Sequence, residues 1–132
     1  MIAALLAIAL AANTGAPVVT EHGIPQRGIA SWYDATRNNA WYTRGGMRYY
    51  AAVGTFRWGD DPYAIKICRK DQPRKCVIAT VVDYCGRCAK DLKRPWNKRS
   101  RSVDLSPAAF SALRGLNFGV LPVIITELTT GK

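Results

Sequence analysis

The sequence predicts a small, mostly β domain, a barrel of short strands with one short helix. Three observations carry this. Short runs rich in Val, Ile, Tyr and Thr recur along the chain, separated by turn residues. The two strongest runs, 64–69 and 76–82, flank Lys70-Asp71-Gln72-Pro73 and read as a hairpin. A single segment, Ser106 to Gly115, carries helix punctuation at both ends.

At 132 residues the chain has room for one domain. Residues 1–12 form an uncharged apolar run, and Ala9-Leu10-Ala11 fits the small-x-small pattern of a signal-peptide cleavage site. That run is too short for a stable membrane span. The expectation is a signal peptide, or an apolar N-terminal segment, on a secreted or cell-envelope protein. Removing it leaves roughly 110 residues, enough to bury a core. Residues 13–26 lack periodicity and read as a linker, so the sole histidine, His22, is set aside. The domain is expected over 27–129.

Within it, Gly28 to Tyr33 is a first strand and Tyr49 to Val53 a second. The intervening residues 34–48 read as a loop holding Trp41, Tyr42 and Met47. Residues 89–102 are the most basic stretch, with Trp96 at their centre, a candidate wall for a sugar or a base. In the helix, Ser106 suits the N-cap and Pro107 the first turn; Ala109, Phe110 and Leu113 make one apolar face. Arg114 and Gly115 suit its C-terminal end, Gly115 as a left-handed residue. Leu121 to Leu128 is a last buried strand, with Pro122 near its start.

The formal net charge of +10, from 19 basic and 9 acidic residues, favours polyanionic partners such as an acidic wall polymer. Aromatic and basic residues together would permit stacking on nucleic acid, but no nucleic-acid-binding motif is present, so no specific nucleic-acid partner is expected. Cys68, Cys76, Cys85 and Cys88 are an even set and read as disulfides, with all three pairings open. The Cx7C…CxxC spacing is poor for zinc, and neither a metal nor another cofactor is expected. A redox role for Cys85-Gly-Arg-Cys88 would want a helix after a strand, whereas a basic loop is expected there.

Three segments gain meaning together: Gly28-Ile29-Ala30-Ser31-Trp32-Tyr33, then Val81-Val82-Asp83-Tyr84-Cys85, then Val103-Asp104-Leu105-Ser106-Pro107-Ala108-Ala109-Phe110. Their order and spacing resemble the rare lipoprotein A (RlpA-like) double-psi β-barrel family, related to expansins and barwins. The cysteine after Asp83 is similar to barwin and expansin members. The resemblance implies a six-stranded double-psi β-barrel, and a monomer that acts on peptidoglycan or a related cell-wall polysaccharide through a groove. It implies Asp83 as the acid/base of a lytic transglycosylase, with Asp104 close by. A glycosidic leaving oxygen needs a protonated carboxyl, which burial or a second carboxylate can supply. Ser31, Tyr33, Tyr84, Trp58 and Trp96 are the expected substrate contacts. Asp104 could instead serve the start of the helix, and Asp83 could cap a turn. The matching run Ala51-Ala52-Val53 places Val53 where transglycosylase members often carry a histidine. That departure keeps open a non-catalytic polysaccharide-binding module of the expansin or barwin kind.

Overall fold

The computed structural model describes residues 18–91 and 101–131. The expected N-terminal segment, 1–12, lies outside them. So do Trp96 and most of the basic stretch, including Lys93, Arg94, Lys98 and Arg99.

Six strands close into a barrel: β1 (Val18–Trp32), β2 (Tyr50–Val53), β3 (Tyr63–Arg69), β4 (Cys76–Tyr84), β5 (Val103–Leu105) and β6 (Leu121–Gly131). Their order around the barrel is β1-β5-β2-β4-β3-β6. The pairs β1/β5 and β2/β4 are parallel and the other four antiparallel, so the sheet is mixed. This is the expected six-stranded double-psi barrel. Among the described residues three short α-helices decorate it where one was expected: α1 (Trp41–Arg44), α2 (Gly86–Asp91) and α3 (Pro107–Leu113). No helix among the described residues is long and apolar enough to cross a membrane.

The core is built by alternation. Ala30, Ala51, Ile65, Ile67, Ala79, Val81, Val103 and Leu105 point into the barrel, with Leu121 and Val123 from β6. Helix α3 plugs it with the expected face of Ala109, Phe110 and Leu113, all fully buried. Residues one step along each strand, Ser31, Ala52 and Asp104, therefore lie on the other face.

The strands differ from the sequence reading in two places. β1 begins at Val18, so residues 18–26, expected as linker, are strand. Val18 pairs with Gly131 and His22 with Glu127, and the register shifts between His22 and Gln26 before Gln26 pairs with Ile125. The alternation breaks at that shift, which hides the strand from a period-two reading. β5 is only three residues long, too short to show a pattern, yet it bridges β1 and β2.

Both disulfides form, as Cys68–Cys76 and Cys85–Cys88. Cys68 and Cys76 are direct register partners near the closed end of the β3–β4 hairpin. The basic loop expected to follow the CxxC pair is corrected as far as Asp91: α2 spans Gly86–Asp91, so Cys85 sits between β4 and the helix and Cys88 within the helix. Gly54 permits that helix to dock, because a Cβ there would lie 2.6 Å from the Ala89 backbone nitrogen.

Ser106 ties the helix to the barrel. Its hydroxyl accepts from the Ala109 N–H (3.2 Å) and the Tyr50 N–H (3.3 Å), and donates to the Arg48 carbonyl (2.6 Å). The C-terminal end differs from expectation. Gly115 has φ −59° and is not left-handed. Instead the guanidinium of Arg69 donates to the Leu113 carbonyl (3.3 Å) while pairing with Asp71 (2.7 Å). The Arg114 guanidinium stacks on the Phe118 ring. Ser106→Ala should cost about 2 kcal/mol in urea unfolding, at the top of the range for a cap, because it also removes the partner of the buried Tyr50 N–H at the start of β2.

Candidate functional site

One row of residues crosses four adjacent strands. Ser31 on β1 pairs with Asp104 on β5, Asp104 with Ala52 on β2, and Ala52 with Asp83 on β4. Two carboxylates thus flank a methyl group, two strand spacings or about 10 Å apart at Cα. The row depends on a β-bulge. Ala51 pairs with Val81, but Ala52 pairs with Asp83, so β4 carries the extra residue Val82. The bulge turns Asp83 onto the same face as Ala52 and Asp104. It also sends Val82 into a second cluster with Ala35, Tyr42 and Tyr50.

Asp83 is held by donors. The hydroxyl of Tyr42 donates to its Oδ2 at 2.9 Å, and that of Tyr33 approaches the same oxygen at 3.4 Å. The Tyr84 N–H donates to Oδ1 at 2.8 Å, so the carboxylate also caps the turn out of β4. The two tyrosine hydroxyls contact each other at 3.0 Å, and both rings pack on Tyr50. Burial pushes both phenols well above the ordinary tyrosine range, and the negative Asp83 adds to this. They therefore stay protonated, as donors to Asp83.

Asp104 sits in a different environment. It is half-buried and accepts from the Ser31 hydroxyl at 3.0 Å. Burial raises its carboxyl above the ordinary 3.8; the Ser31 bond and the charges of Arg101 and Arg87 pull the other way, and Asp83 adds a smaller upward push. The helix-start role weighed for Asp104 falls instead to Ser106, whose side chain caps α3.

The residues singled out from sequence disperse in part. Asp83, Asp104, Ser31 and Tyr33 come together. Ser31 is buried at the β1 end of the row, where its hydroxyl holds Asp104. Tyr84 follows Asp83 and is exposed, and Trp58 is fully exposed in the segment between β2 and β3. Trp96 lies outside the described residues. The sequence reading missed Tyr42, placed in a loop, and Tyr50, placed in the second strand, as site residues; their only signal was the density of aromatics over 33–50. Trp41, also exposed, stacks edge-on against Tyr42 at 5.5 Å and so borders the Asp83 end of the row. Val53 packs against the barrel core, away from the carboxylates. Among the described residues no group of three or more His, Cys, Asp or Glu is placed to hold a metal, and all four cysteines are bonded to one another.

No protein-family model matches the chain, and no curated protein matches it. Solved structures do. One is a mutant expansin from Clavibacter michiganensis in complex with cellohexaose, at 18% identity and a TM-score of 0.54 over 83% of this chain. This chain spans 51% of that protein, about half its length. Another is the Streptomyces papain inhibitor, at 17% identity and a TM-score of 0.50, with 81% of this chain and 96% of that one covered. At these identities the likeness shows a shared barrel fold.

The Asp104 environment has a pH signature. Its raised pKa means that the folded protein holds a proton which the unfolded chain has released, over a window starting just above pH 3.8. Stability from this group is present below that window and lost as pH rises through it. Asp104→Asn keeps an acceptor for Ser31, so it should stabilise the protein at pH 7 in urea unfolding. The gain should shrink towards zero below about pH 4.

Proposed function

We propose that this barrel is a non-catalytic polysaccharide-binding module that engages a cell-wall glycan along the Ser31–Asp104–Ala52–Asp83 row. The observation that carries it is the row itself: two carboxylates on either side of a methyl-sized floor, bordered by exposed aromatics, on a barrel that in the expansin neighbour accompanies a bound cellohexaose. Asp83 and Asp104 would accept from sugar hydroxyls, and Trp41 and Tyr84 would offer flat faces to the rings. Asp83 is already committed to three donors and Val53 faces the core, which favours binding over the transglycosylase reading. The two disulfides fit an oxidising compartment, so the working site is outside the cell or in its envelope. A peptidoglycan or other acidic glycan suits the +10 charge.

One observation favours a second reading, a cysteine-protease inhibitor: the chain spans 96% of the Streptomyces inhibitor, against half of the expansin. Sedimentation with insoluble cellulose and peptidoglycan separates these, with papain activity and soluble sugar release measured on the same samples. The binding reading expects retention that falls about tenfold in Trp41→Ala or Tyr84→Ala, the loss of a typical aromatic anchor. Release of anhydro-sugar fragments, lost in Asp83→Asn, would instead establish cleavage. Papain inhibition without retention would establish the second reading.

A further inference from the structure

The Cys85–Cys88 disulfide stands directly behind the Asp83 end of the row. Cys85, Cys88 and Ala52 form one buried cluster, and Tyr33 packs against it. The hydroxyl of the same Tyr33 meets Tyr42 and Asp83. The pair is asymmetric: Cys85 keeps 8% of its surface and Cys88 1%. The Cys88 N–H donates to Cys85 Sγ at 3.0 Å, a contact that favours that sulfur as a thiolate. The flanking Tyr84, Gly86 and Arg87 are exposed, so a small thiol can approach from the Cys85 side. The Cys68–Cys76 bond differs. It joins register partners of a hairpin beside the 70–75 turn, at the opposite end of β4 from Asp83.

We propose that Cys85–Cys88 is a thiol-exchange site, and that its opening frees Tyr33 and loosens the hold on Asp83. The reacting partner is a dithiol. One of its thiolates attacks Cys85 Sγ; the Cys85–Cys88 bond breaks, its electron pair leaves on Cys88 Sγ, and Cys88 takes up a proton. The partner's second thiolate then attacks the partner sulfur of the mixed disulfide. Cys85 leaves as a thiolate, received by the Cys88 N–H, and takes up the second proton. The dithiol ends as a disulfide, having lost two electrons and two protons to the cysteine pair. Reduction then removes the covalent backing of Tyr33 and leaves the barrel's strand ladder closed. As a control on glycan binding this rests on the binding reading above; the exchange and the loosening do not.

The test uses the folded protein in graded dithiothreitol, trapped with iodoacetamide and mapped by peptide mass spectrometry, with amide hydrogen exchange on the same samples. Cys85 and Cys88 should alkylate together while far-UV circular dichroism stays native, and exchange should rise across 33–42. Glycan retention should fall about fivefold or more on reduction and return on reoxidation. The Cys85→Ala/Cys88→Ala variant should match the reduced protein, and Cys68→Ala/Cys76→Ala should keep oxidised-level retention. Failure of Cys85 and Cys88 to alkylate while the barrel is folded would overturn the proposal. So would alkylation with unchanged exchange across 33–42. If the oxidised protein binds no glycan, the binding reading fails, and the alkylation and exchange results still decide this one.

Discussion

One extra residue in β4 sets the chemistry of this barrel. With Val82 inserted against β2, the strand passes from core-facing Val81 to row-facing Asp83, giving up one regular pairing step. Without the insertion, Ala52 would face Val82 and Asp83 would point towards the apolar interior, where a carboxylate is costly to bury. The aromatic cluster depends on the same residue, since Val82 packs with Tyr42 and Tyr50, which brace the phenols that hold Asp83. Bulges that re-aim a side chain are a recurrent way for a sheet to present a polar group without breaking its core.

The row places two like carboxyl groups in unlike surroundings. Asp83 is surrounded by donors, two of them phenols that burial keeps protonated. Asp104 has one hydroxyl partner and a desolvated position. Such a division could serve acid–base chemistry, and equally a face that fixes two different sugar hydroxyls. Asp83 carries three donors on its two oxygens, which leaves about one further acceptor site open.

Much of the architecture was legible in the residues. The β3–β4 hairpin, the final strand and the helix over 106–113 were visible because each has a strong local pattern and clear punctuation. The Asp83 and Asp104 pair was legible only through motif order. The rest was hidden for identifiable reasons. A three-residue strand such as Val103–Leu105 has no period to detect. The segment 18–26 loses its alternation at a register shift. Helix α2, Gly86 to Asp91, is short and is preceded in sequence by Cys85 rather than by Ser, Thr, Asp or Asn. Tyr42 was read in a loop and Tyr50 in the second strand, but their convergence on Asp83 and Ala35 is a product of tertiary packing. No sequence pattern encodes that convergence.

The ribbon formed by β1 and β6 has a further consequence. Val18 and Gly131 are register partners, so the two ends of the described chain lie side by side as neighbours in one ladder. A barrel whose first and last strands meet in this way is topologically close to a circle. A short linker between them would allow the chain to be cut open at another surface turn, such as the one at 70–75. The same adjacency would let the whole barrel be spliced into a loop of a host protein with little change in the distance the host chain must span.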